Sequence, residues 1–163
     1  MIVIDLFEVP AGADDQFVET WEGAHDRTAR VLYRALREDA DFRFVEVASV
    51  EASEAGAYEV VHEDGVPDGS DGVALIDPFE VPETADESFL ATWEAARAIL
   101  ASQPGYLGTR LHGSVGPSDF RFVNLARWSS PLALARATQR PEFQQTATAI
   151  PFDSHPALYT VIR

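Results

Sequence analysis

Hydrophobic and polar positions alternate along the chain in a way that repeats. Ile2-Val3-Ile4 opens a strand, and Ile4-Asp5-Leu6-Phe7-Glu8-Val9-Pro10 recurs 72 residues later as Ile76-Asp77-Pro78-Phe79-Glu80-Val81-Pro82. Continued to His25 and Arg97, this register holds 13 identities in 22 positions, with Phe17 matching Phe89 and Trp21 matching Trp93. Phe42-Arg43-Phe44-Val45 returns as Phe120-Arg121-Phe122-Val123, and Tyr58-Glu59-Val60-Val61 is echoed by Tyr159-Thr160-Val161-Ile162. Two copies are too few for a solenoid, so the repetition is read as a duplicated module.

The second copy shows its elements most clearly. Val73 to Phe79 reads as a strand, and Thr84 with Glu87 three residues on reads as a capping box opening a helix. Phe89, Trp93, Ala96 and Leu100 fall on one face of that helix, which Pro104-Gly105 ends. Tyr106 to His112 and Phe120 to Trp128 follow as strands across a turn-rich segment. Ser130-Pro131 opens another helix, Pro141 restarts it as a short piece, and Leu158 to Ile162 closes the copy as a strand. The first copy has no room for this second helix: Glu51 to Gly56 stands where the later copy has the 29 residues 129–157.

The expected organisation is therefore a degenerate repeat at 1–62, an exposed, flexible polar linker at 63–72 (beginning at His62 in its composition) and a complete repeat at 73–163. A βαββαβ unit is ferredoxin-like, with helices on one face of an antiparallel sheet. The fold class predicted is α+β: two ferredoxin-like repeats packed sheet to sheet, the first lacking its second helix. Pairing inside one chain is favoured by the high effective concentration that a covalent link supplies.

Composition narrows the function. The chain has 163 residues, 27 acids, 12 arginines, no lysine and no cysteine. Residues 1–72 carry 18 acids against 5 arginines, and residues 73–163 carry 9 against 7, so the negative charge is concentrated in the first copy. Such a surface repels phosphate backbones and anionic lipid, and neither nucleic acid nor membrane is an expected partner. Missing cysteine and lysine exclude thiolate and Schiff-base chemistry on this chain. No glycine-rich phosphate loop supports nucleotide or flavin binding, and no GxSxG elbow supports a serine hydrolase. With no spanning apolar run and no basic leader before the first strand, the sequence is read as that of a soluble, cytoplasmic protein.

Asp77-Pro78-Phe79-Glu80-Val81-Pro82, Gln103-Pro104-Gly105-Tyr106, Phe120 through Trp128 and His155-Pro156-Ala157-Leu158-Tyr159 resemble the antibiotic biosynthesis monooxygenase family, well over 73–163 and as a degenerate copy over 1–62. The resemblance implies a dimeric α+β barrel with a pocket between helices and sheet. It also implies, among the activities of such proteins, cofactor-independent oxidation of anthrone-type polyketides to quinones with O2 as co-substrate. Haem degradation by related proteins is the alternative, and a non-catalytic binding or assembly module a second one.

Strand alternation puts Phe120, Phe122, Asn124, Ala126 and Trp128 on one face. An amide beside aromatic surfaces suits a flat phenolic guest, and the Asn124–Trp128 spacing is similar to that of the quinone-forming members, where such residues line the site. The first copy has Glu46 and Val50 at those positions, which assigns a single working pocket to the second copy. Asp77 is a candidate general base in an apolar pocket, or a capping carboxylate like its counterpart Asp5. His112 is a candidate proton shuttle, sharing a strand face with Tyr106 and Arg110. Phe89, Trp93, Tyr106, Phe120 and Phe122 complete the expected substrate-binding set; Trp93, like Trp21, also fits a core position. The haem-degrading relatives carry an axial histidine about ten residues after the strand tryptophan, where this chain reads Ala137-Thr138-Gln139. His62-Glu63-Asp64 and His25-Asp26 hold metal-ligand types, but no spacing joins them into a site, and no metal or other cofactor is expected. Beyond the internal pseudo-dimer, further homodimerisation remains open.

Overall fold

The computed structural model describes residues 1–24, 29–51 and 55–163. Its first half is β1 (Ile2–Phe7), α1 (Asp14–Ala24), β2 (Arg30–Ala35), β3 (Phe44–Ser49) and β4 (Ala57–Gly65). The second is β5 (Val73–Phe79), α2 (Asp86–Ala101), β6 (Tyr106–Ser114), β7 (Phe122–Trp128), α3 (Pro131–Thr138), α4 (Pro141–Ala147) and β8 (Ala157–Val161). The strands close into one antiparallel barrel in the order β1-β3-β2-β8-β5-β7-β6-β4. Each half contributes a four-stranded ferredoxin-like sheet, and the last strand of each pairs with the second strand of the other: β4 with β6, β8 with β2. The duplication thus closes both sheet edges, which an isolated sheet would leave unpaired.

The barrel interior holds Ile4, Tyr33, Val45, Tyr58, Ile76, Val123, Leu125 and Tyr159. The repeated tyrosines tie the halves together. Tyr58 donates to the Phe120 carbonyl at 2.9 Å, and Tyr159 donates to the Phe42 carbonyl at 2.8 Å. Each phenol therefore holds, in the opposite copy, the residue that leads into its third strand.

The outer faces are covered by helices. In the first copy α1 lays Trp21 over Leu32 and Phe44. In the second, α2 lays Phe89 and Trp93 over Phe79, Leu111 and Phe122, while α3 covers Ala126 and Trp128 with Leu134 and Ala137. Ser130 caps α3 by accepting from the Ala133 N–H, and Pro141 starts α4. Two local expectations change. Thr84 does not cap α2: the Ala85 N–H bonds the Pro82 carbonyl, a single 3₁₀ turn takes up Glu83–Ala85, and α2 starts at Asp86 with no side-chain cap. Asp86 and Glu87 support its first turn electrostatically instead.

The segment expected to begin as linker at 63 is still strand to Gly65. The remainder is pinned rather than free, because the buried Arg127 guanidinium donates to the carbonyls of Val66, Asp68 and Asp71. Gly72 turns there with φ +72°, and an added Cβ would lie 2.1 Å from the Trp128 carbonyl oxygen. Among the described residues, no helix is long and apolar enough to cross a membrane.

Candidate active site

Between the outer face of β5-β7-β6 and helices α2 and α4 lies a cavity of about 200 Å³. Its floor is Leu75 and Asp77 from β5, Asn124 and Ala126 from β7, and Thr109 from β6. Trp93, Ala96, Arg97 and Leu100 of α2 form one wall, and Phe143, Ala147, Ile150 and Phe152 form the roof. The volume lies below the ~300–1,000 Å³ usual for drug-sized ligands and favours a compact, flat, largely apolar guest.

Two polar groups stand out on that floor. Asp77 and Asn124 are directly opposed in the β5–β7 register, and the Oδ1 atom of each is buried without a hydrogen-bond partner. Burial pushes the Asp77 carboxyl up to about 7, against the opposing effects of a hydrogen bond from Ser154 and of the neighbouring His155. The chain reaches that point because Pro78 has no N–H to give. The 153–155 segment instead meets β5 through Asp153 O with Glu80 N at 2.9 Å and His155 N with Pro78 O at 3.1 Å, which sets Ser154 beside Asp77. A carboxyl raised this far by burial can exchange a proton near neutral pH, which a general base needs.

Several expected site residues lie elsewhere. Trp128 is fully buried under α3, its ring edge-on to Tyr106 at 5.4 Å, and it supports the wall without lining the cavity. Its Nε1 has no partner. Phe89 and Phe122 stack on each other at 4.6 Å beneath α2 and build the wall's core. Phe120 precedes β7, packs against the barrel interior and touches the rings of Phe42 and His155 at 5.6 and 5.4 Å, away from the face of Phe122. His112 and Arg110 do not share a face with Tyr106, because the β6–β7 register shifts between Tyr106 and Gly108. That bulge turns Tyr106 outward with Thr109 and leaves His112 inward, opposite Val123. His112 is fully buried, its Nδ1 is 3.1 Å from the Val123 carbonyl, and burial pushes its imidazole down to about 4. It is a neutral core group, not a shuttle in the cavity.

Trp93 and Tyr106 do line the cavity, together with residues that periodicity did not mark: Arg97, Thr109, Phe143, Ile150, Phe152 and Ser154. The i, i+4, i+7 spacing of Phe143, Ala147 and Ile150 was the available signal for the roof.

In the first copy the corresponding ground is filled. Glu46, in the place of Asn124, is fully buried and accepts a hydrogen bond from the Trp21 indole, over which Arg30 stacks at 3.8 Å. Among the described residues no group of three or more potential ligands is arranged for a metal ion; His25 and Asp26 lie outside them.

The structure is an internally paired α+β barrel of two ferredoxin-like halves, with a buried acid–amide pair on the floor of a cavity in the second. The antibiotic biosynthesis monooxygenase family model matches residues 73–149. A protein from Shewanella loihica PV-4 assigned as a monooxygenase is 39% identical over 56% of this chain and 94% of its own, with a TM-score of 0.51. The chain belongs to the antibiotic biosynthesis monooxygenase family. The whole double fold recurs in an anthrone oxidase-like protein (TM-score 0.73, 13% identity, 99% of this chain and 90% of that one). It recurs too in a heme-degrading enzyme from Listeria monocytogenes (TM-score 0.63, 14% identity, 98% and 97%). At these identities the likeness is one of fold. No curated protein matches the chain.

Proposed function

We propose that this protein is a cofactor-independent monooxygenase that oxidises a flat, hydroxylated aromatic substrate of the anthrone type with O2. The observation that carries the reading is the Asp77–Asn124 pair: a carboxyl pushed up to about 7, directly across from an amide, on the floor of an otherwise apolar cavity.

The methylene of an anthrone is acidic because the carbanion is delocalised onto the ring ketone. Asp77 takes that proton. The Asn124 amide N–H, turned to the ketone oxygen, stabilises the oxyanion that forms, an effect on the order of 3 kcal/mol for one such donor in a water-poor site. The carbanion gives an electron to O2, and recombination forms the C–O bond of a peroxide anion. Proton return from Asp77 makes the hydroperoxide. Loss of the remaining methylene proton with cleavage of O–O releases water and leaves the quinone carbonyl, so CH2 and O2 become C=O and H2O. Trp93 and Phe143 close the cavity over the ring system and keep water from the anion.

The haem alternative has less support. Among the described residues no histidine lines the cavity, and a cavity of about 200 Å³ gives little room for a macrocycle. Incubation of metal-free protein with anthrone in air tests the proposal: quinone formed in equal amount to O2 consumed is expected, and no rate above the buffer blank contradicts it.

A further inference from the structure

The strip of chain that follows α4 and roofs the cavity is tied to the first copy. It runs back along the end of β5: the Glu80 N–H donates to the Asp153 carbonyl at 2.9 Å, Ser154 bridges Phe79, and the His155 N–H donates to the Pro78 carbonyl at 3.1 Å. Pro156 favours extended backbone at His155, and in an extended chain neighbouring side chains point to opposite sides. Ser154 lines the cavity with Asp77, while His155 meets the loop between β2 and β3. There its Nδ1 lies 2.6 Å from a carboxylate oxygen of Asp41, and its Nε2 lies 3.5 Å from one of Glu80. The rings of Phe42 and Phe120 meet the imidazole edge-on at 5.8 and 5.4 Å.

A neutral imidazole has one N–H and one acceptor nitrogen, whereas the imidazolium donates from both. With a carboxylate at each nitrogen, the charged form is the one that fits. Asp41 belongs to the first copy, so the second copy alone cannot build this contact. We propose that Asp41 holds His155 as a cation behind Asp77, and that His155 is a positioning residue which keeps Ser154 beside the Asp77 carboxyl and favours the ionised form of that base.

The electrostatics agree. The hydrogen bond with Asp41, supported by Glu80, pushes the His155 imidazole above its ordinary value. At Asp77 burial is the largest effect and raises the carboxyl to about 7, while Ser154, the His155 N–H and the His155 charge act against it. The other groups near the two are already engaged. Asn124, opposite Asp77, is uncharged, and the Tyr159 phenol donates to the Phe42 carbonyl. Arg97, across the cavity, is held by Glu94 and Asp64, and Arg37 pairs with Asp39 in the loop that carries Asp41. This role rests on Asp77 being the base of the proposed reaction, and it gives the first copy a part in that chemistry.

An isotope-labelled carboxyl carbon of Asp77, followed by NMR and assigned by its loss in Asp77→Asn, reports the ionisation without substrate. His155→Gln keeps a side-chain donor but carries no charge, and it is expected to move the Asp77 midpoint up by ~0.5–1 pH unit. Asp41→Asn, at an exposed side chain whose exchange the fold should tolerate, should move it the same way by less, because Glu80 still faces the ring. The double variant should match His155→Gln alone, since Asp41 acts through His155. In the oxidation assay His155→Gln should lose ~3-fold or more at pH 6.5 and return to within ~2-fold of native at pH 9, where Asp77 is ionised in both proteins. A midpoint unmoved or lowered in His155→Gln, a rate reduced equally at both pH values, or shifts that add in the double variant overturns the inference. A raised midpoint in a protein that forms no quinone leaves the Asp41–His155–Asp77 coupling standing and removes the oxygenase reading; quinone formation with an unmoved midpoint does the opposite.

Discussion

Asp77 and Asn124 meet side by side across β5 and β7, and each keeps one oxygen out of water with nothing bonded to it. Such a pair costs stability unless a proton or a ligand donor lies between the oxygens. The folded chain therefore carries a local destabilisation at the place where its proposed chemistry occurs.

Replacement of the acid should show that exchange. In the native fold Asp77 titrates at about 7, against 3.8 for an unburied carboxyl. The folded state thus binds more protons between these values, and stability falls as pH rises through that window. The full effect is at most ~4 kcal/mol. Asp77→Asn is expected to raise the unfolding free energy at pH 8 by ~1–3 kcal/mol, to change little at pH 4, and to reduce quinone formation by at least ~100-fold. Urea denaturation at the two pH values, with an assay on the same samples, is the check.

Asn124→Ala should separate binding from chemistry. Loss of a donor that acts on the developing oxyanion lowers kcat by at least ~10-fold with little change in KM, and the thermal transition should move by only a few degrees. An unchanged kcat would take Asn124 out of the mechanism.

His112 predicts acid sensitivity unconnected with turnover. Burial holds its imidazole at about 4, below the free value of 6.5, so the native state resists protonation. Its contribution is fully present above pH 6.5 and is lost as pH falls towards 4, an effect of ~3 kcal/mol. His112→Asn retains an N–H for the Val123 carbonyl and should flatten this part of the stability profile while leaving kcat within ~2-fold of native.

The crossed tyrosines predict similar but not identical effects. Tyr58→Phe and Tyr159→Phe each remove one hydrogen bond to a carbonyl of the opposite half, and Tyr58→Phe also removes the 3.1 Å contact with the Ser118 hydroxyl. Each should cost ~1 kcal/mol in chemical denaturation, with Tyr58→Phe the larger loss. A larger loss in Tyr159→Phe, or none in either, would show that these bonds do not tie the copies.

The barrel was legible because the repeats carry it. Phe42 and Phe120, like Tyr58 and Tyr159, recur because each pair makes the same inter-copy bond, and periodicity exposes such equivalence. The candidate site was legible only in part. Asn124 and Asp77 lie in regular strand, where alternation assigns the face correctly. Tyr106 lines the cavity as expected, but alternation groups it wrongly with Arg110 and His112, because one bulge reverses the faces without leaving a mark in local composition. Asp64 is read as linker because the end of β4, from His62 to Gly65, is polar throughout and has no hydrophobic period to announce it. Trp128 shows a further limit: an aromatic on the correct face becomes wall rather than surface once α3 covers it, and the position of α3 is a tertiary fact.

In the proposed reaction Asp77, held near neutrality by burial, takes a proton from a ring-activated carbon while Asn124 steadies the anion. Anaerobic titration of the protein with anthrone, followed by the absorbance of the anthrone anion between pH 5 and 9, measures this step before oxygen intervenes. A bound anion that develops with a midpoint near 7 and is lost in Asp77→Asn is the expected result. An anion that forms equally in Asp77→Asn, or a bound anthrone that stays protonated throughout, contradicts it.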